Sequence, residues 1–88
     1  MPSPFLHVGF YHYVRADKVE AIVARGMVIS KPIEDRVKEA KAAGLYLNLA
    51  HGHMTRSYVF MESGRVYGSA FTPETLDRRA SGEKESRT

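Results

Sequence analysis

The 88-residue chain has no cysteine. That absence removes disulfides, thiolate chemistry and cysteine-ligated zinc together, and it accords with a reducing compartment, so a cytoplasmic location is expected. No apolar run approaches the roughly 18 residues that span a bilayer, and Met1-Pro2-Ser3-Pro4 lacks the charged and apolar blocks of a signal peptide. Neither membrane association nor export is expected. A nucleophile elbow, a glycine-rich phosphate loop and a paired-carboxylate signature are also missing, so the reading is not an enzyme, with no catalytic residue, no cofactor and no small-molecule substrate. Charge of one sign is in short supply too. The net charge is +3, with nine Lys/Arg against six Asp/Glu in residues 1–71 and four of each in residues 72–88. Such an excess favours anionic partners only mildly.

What is present is the composition of a soluble globular domain, 43% hydrophobic and 26% charged. Its length implies one small domain over residues 1–80 whose core is modest, so self-association would help it. Residues 81–88 are polar, charged or glycine and are expected to form a disordered tail.

The spacing predicts an α+β fold. Phe5-Leu6-His7-Val8-Gly9-Phe10 and Tyr11-His12-Tyr13-Val14 are rich in aromatic and β-branched residues, as strands are, and Gly9 permits a bend or bulge between them. After the charged break Arg15-Ala16-Asp17-Lys18, Val19 to Val23 reads as a strand, and Met27-Val28-Ile29 as a brief extended segment. Pro32, Glu34 and Asp35 then open a helix that Lys38, Lys41 and Gly44 close, with Ile33, Val37 and Ala40 as its apolar stripe.

Residues 45–71 read as three antiparallel strands with the turn His51-Gly52-His53-Met54-Thr55-Arg56 at one tip. Leu45, Leu47 and Leu49 are expected to face the core, with Tyr46 and Asn48 outward. Thr72-Pro73-Glu74 supplies a cap, a first-position proline and an acidic first turn for a short helix through Leu76 to Arg79. The expected architecture is thus a small twisted antiparallel sheet of five to six short strands, one amphipathic helix packed on it and a short C-terminal helix.

The most unusual polar residues sit in the 51–56 turn. Two imidazoles at i and i+2 on an extended chain point the same way and suit a metal, but no third ligand is near, and no metal is expected. The same pair beside Arg56 has the composition of an acid-base site for phosphodiester cleavage, which nothing else in the chain supports. Contact with phosphates is the third reading. Arg56, Thr55, the amides around Gly52, and protonated His51 and His53 are the donor types that position a protein on a nucleic-acid backbone, with Lys18 and Arg15 added if the fold brings the two turns to one face. One chain offers few such contacts, so affinity requires several copies acting together. Tyr11, Tyr13, Tyr46, Tyr58 and Tyr67 are read as core and interface packing before an aromatic stacking platform.

In order and spacing, several pieces resemble the RemA-type regulators of extracellular matrix and biofilm genes. They are Val8-Gly9, the charged break with Lys18, Pro32-Ile33, Ala43-Gly44, Gly52-x-x-Thr55-Arg56, and above all Thr72-Pro73-Glu74-Thr75-Leu76-x-x-Arg79. The resemblance covers about residues 5 to 80. It implies a small β-rich DNA-binding protein, similar in outline to LytTR-type domains, that assembles into homo-oligomeric rings and presents many basic tips to double-stranded DNA. Carried over residue by residue, the DNA contacts are Lys18, His53 and Arg56, with Arg15 and Thr55 in support. His53 and Met54 stand where the family is usually basic, and a ring-forming scaffold that has lost DNA is the alternative expectation.

Overall fold

In the computed structural model, which describes residues 4–9, 11–25 and 31–80, nine elements follow in order. They are β1 (Phe5–Gly9), β2 (His12–Arg15), a 3-10 turn at Ala16–Lys18, β3 (Val19–Ala24), α1 (Lys31–Ala42), β4 (Tyr46–Asn48), β5 (Ser57–Met61), β6 (Val66–Ser69) and α2 (Pro73–Ala80). The class is α+β, as expected. The strands divide, however, into a hairpin of β1 and β2 and a four-stranded sheet in the order β3-β5-β6-β4. The expected extended segment at residues 27–29 and the expected tail at 81–88 lie outside the described residues.

The sheet is not uniformly antiparallel. β5 pairs antiparallel with both β3 and β6, whereas β4 runs parallel to β6. Residues 45–71 therefore do not form three consecutive antiparallel strands. β6, the last of the three in the chain, inserts between the other two and turns the β4-to-β5 connection into an arch. That arch crosses two strand spacings, about 10 Å, which a tight turn cannot span. It is tied to the end of β6 on both sides, through Leu49 N to the Gly68 carbonyl at 2.8 Å and Arg56 N to the Ser69 carbonyl at 2.8 Å.

Each helix is written locally. Gly44 takes φ +75, and the bonds from Gly44 N to the Lys41 carbonyl (3.3 Å) and from Leu45 N to the Ala40 carbonyl (2.8 Å) complete a Schellman ending for α1. α1 begins at Lys31, with Pro32 and Glu34 in its first turn. For α2 the Thr72 hydroxyl accepts the Thr75 N–H at 3.3 Å, the N-cap geometry expected ahead of Pro73.

Three layers result. On one face of the sheet Val37 and Ala40 of α1 bury against Phe60 and Val66, with Ile33 beside them. On the other, Leu6, Val8 and Val14 of the hairpin and Leu76 of α2 pack on Val59, Met61 and Tyr67. The period of two along β5 separates the sets, with Val59 and Met61 to one side and Phe60 to the other. Where the hairpin passes closest to the arch, Gly9 takes φ +149, and a Cβ there would lie 3.1 Å from the Leu49 carbonyl oxygen. The ladder shifts register at that point, between His7 and Gly9, as the glycine's placement implied.

The leucine alternation is only partly kept. Leu49 is buried, but Leu47 on edge strand β4 is 45% exposed, and Tyr46 turns inward to pack beneath α1. The slot it fills exists because Gly68 has no side chain, and a Cβ at Gly68 would collide with the Tyr46 hydroxyl.

Leu76 is the sole fully buried anchor of α2 among the described residues. Leu76→Ala is expected to lower stability by about 3 kcal/mol, read as a lower urea midpoint at unchanged slope. A loss below about 1 kcal/mol would show that α2 does not hold the hairpin in place.

Candidate functional site

The two basic stretches singled out in the sequence lie at opposite ends of β5. The register sets Val19 against Met61 at one end and Ala24 against Ser57 at the other. Lys18 thus adjoins the β5–β6 turn, and Arg56 lies roughly 20 Å away along the strand. Within one chain the two turns do not share a face.

At the first end Arg15 and Lys18 bracket the 3-10 turn. The Arg15 guanidinium holds the Asp17 carboxylate at 2.9 Å, which offsets much of its charge. The Lys18 carbonyl accepts the Glu62 N–H at 2.9 Å, fastening the 3-10 turn to the β5–β6 turn. Between them opens a cleft of 560 Å³ lined by Tyr13, Arg15, Lys18, Glu62 and Arg65. Among the described residues neither Lys18 nor Arg65 has a carboxylate within ion-pair distance. Arg65 was missed in the sequence, where it reads only as part of a turn; its partner lies 47 positions away and is brought near by sheet pairing.

The arch forms the second end. His51 (φ 51) and Gly52 (φ 88) both take left-handed backbone, and His53 N bonds the Ala50 carbonyl at 3.1 Å, which is a type I′ turn. The chain is therefore not extended across His51 and His53, and the parallel-imidazole geometry considered for a metal is not formed. Among the described residues no group of three or more His, Cys, Asp or Glu side chains is placed to hold a metal ion. His53 and Met54 are exposed, Met54 at 66%. Arg56 is exposed and its carbonyl accepts the Arg25 N–H at 3.0 Å, so a second arginine not anticipated from the sequence stands beside it.

Thr55 is half-buried, and its methyl and the Tyr46 hydroxyl converge on the space above Gly68. Around that hydroxyl, Tyr58 meets the Tyr46 ring edge-on at 6.4 Å and Lys41 lies over the ring at 5.0 Å. Burial, and secondarily Tyr58, push the Tyr46 phenol above its ordinary value near 10, while Arg25 and the neighbouring Thr55 side chain pull the other way. Thr55 thus packs the arch against β6 at Gly68.

The tyrosines divide by location. Tyr67 is buried and Tyr46 and Tyr58 are half-buried, whereas Tyr11 is 94% and Tyr13 60% exposed. The exposed pair borders a largely apolar groove of 610 Å³ between hairpin and arch, with Leu49, His53 and Phe71 on its walls. On the same side the terminal arginine of the Thr72-to-Arg79 motif has a structural part. The Arg79 guanidinium donates to the His7 carbonyl at 3.3 Å, lies 3.1 Å from His7 Nδ1 and stacks 4.2 Å from the centre of the Phe71 ring. It clasps α2 to β1.

Comparison with known proteins places this geometry. A family model described as extracellular matrix regulatory protein A-like, or RemA-like, matches residues 5–80. A protein of Halothermothrix orenii is 33% identical over 87 residues, covering 99% of this chain and all of the relative. One from Bacillus cereus is 33% identical over 85 residues, covering 97% and 94%, and one from Petrotoga mobilis 39% over 75 residues, covering 84% and 75%. All three carry the name "Putative regulatory protein".

Because the Tyr46 phenol is raised, the folded state holds its proton where the unfolded chain begins to lose it. This contribution to stability is complete below about pH 10 and is lost as the pH rises through the folded value. Tyr46→Phe should flatten the alkaline fall of the unfolding midpoint. An alkaline limb identical in the two proteins would locate the effect elsewhere.

Proposed function

The chain belongs to the RemA-like family, and from that premise we propose that it is a DNA-binding transcriptional regulator of extracellular-matrix and biofilm genes. It acts as a homo-oligomeric ring that contacts the duplex backbone at many points. The observation that carries the reading is the placement of Lys18 and Arg56, both exposed and without a carboxylate partner among the described residues, on opposite, backbone-anchored ends of one strand. Cations held on rigid elements suit phosphates, which any duplex presents regularly, and the contacts position the protein without reading bases.

Two cationic ends per subunit, roughly 20 Å apart, give weak binding singly and strong binding when copies are joined. The apolar groove beside Tyr11 and Tyr13, and Leu47 exposed on an edge strand, supply surface for such joining, since exposed apolar patches mark association sites. Among the described residues no helix is long and apolar enough to cross a membrane.

A second reading keeps the ring without DNA, as a scaffold for protein contacts. It is favoured by Met54, which leaves an apolar side chain exposed in the arch beside His53.

Duplex DNA binding measured by gel shift should weaken steeply with salt, with a linear fall of log affinity against log salt concentration. Replacing Lys18 and Arg56 together by alanine should abolish the complex while the sedimentation coefficient of the oligomer stays the same. Binding that survives the double replacement would remove these residues from the site, and a ring that binds no duplex even at low salt would establish the scaffold.

A further inference from the structure

We propose that Arg65 is a DNA-phosphate contact in its own right, acting with Lys18 in the cleft at the β5–β6 turn. The inference rests on the DNA-backbone reading above and extends it to a residue that reading does not use.

Its basis is the construction of the cleft. Arg65 sits on a rigid turn, with the Met61 N–H donating to the Arg65 carbonyl at 2.9 Å and the Gly64 N–H to the Met61 carbonyl at 3.0 Å. Gly64 takes φ +97, which lets the turn close tightly. Lys18 is fastened to the same turn by the bond from Glu62 N to its carbonyl. The two cations therefore line one 560 Å³ opening on elements that are hydrogen-bonded to each other.

The charges around it favour this use. Arg15 on the rim is already engaged by Asp17, so the positive charge left to an incoming anion is that of Lys18 and Arg65. Glu62 lines the same cleft without an ion-pair partner among the described residues. Its carboxylate opposes an anion there and lowers affinity, which makes it the internal control for the proposal. A guanidinium also forms two parallel hydrogen bonds to a phosphate, which an ammonium does not. Arg65 and Lys18 are thus complementary rather than redundant, one fixing orientation and the other adding charge.

The test is titration of the full-length protein with a duplex of random sequence at several salt concentrations. Arg65→Ala should weaken binding several-fold at moderate salt and make the log–log salt slope shallower by about one for each bound subunit. Glu62→Gln should tighten binding, and it serves as the second variant should Arg65→Ala disturb the turn; oligomer mass and circular dichroism check each protein. A wild-type protein that binds no duplex overturns the DNA reading and this inference with it. If the wild type binds but both variants keep its affinity and slope, Arg65 is no contact while Lys18 and Arg56 stand.

Discussion

All four residues of β6, Val66, Tyr67, Gly68 and Ser69, are buried. A strand with neither face in water must be covered twice, and both coverings depend on how its side chains alternate. Val66 meets α1 and Tyr67 meets the hairpin layer. Gly68 leaves the slot that Tyr46 occupies. Ser69, fully buried, would be unfavourable if its hydroxyl were unsatisfied; it donates to the Val8 carbonyl at 2.7 Å and accepts the Phe71 N–H at 3.1 Å, so it joins the hairpin to the sheet. The three layers meet at this one short strand.

The placement of charge follows from it. Because β6 separates β4 from β5, the 49–56 connection must arch over its end, and the arch carries His53, Thr55 and Arg56 to that rim. The opposite end of β5 is closed by the β5–β6 turn against the 3-10 turn, and there Lys18, Arg15 and Arg65 collect. A single small domain thereby acquires two basic ends and, between hairpin and arch, an apolar groove. This division of labour suits a protein whose chain alone carries a net charge of only +3 and whose proposed action depends on repetition.

Much of the local structure was legible. α1 and α2 were recognisable with their caps because a helix terminus is written within five or six residues, as Gly44 and Thr72 show. β3 was correctly read as a strand, and Gly9 correctly marked an irregularity. Thr72 to Arg79, noticed as a pattern, turned out to combine a cap, a buried leucine and an arginine clasp on His7. The inward turn of Tyr46 and the exposure of Leu47 were not legible. The alternation of leucines assumes a strand covered on one face, whereas β4 is a three-residue edge beside a glycine, and the vacant space above Gly68 reverses the preference.

By itself, then, the chain determined which segments are helical or extended, how the helices end, and the family to which it belongs, because those depend on neighbours within a few residues or on a pattern in order along the chain. Only the tertiary structure decided that β4 runs parallel to β6, that Lys18 and Arg56 stand at opposite ends of a strand, and that Arg65 shares a cleft with Lys18. Each is a non-local pairing, selected by which faces bury the most apolar surface once all the strands are present. No window of sequence contains that competition.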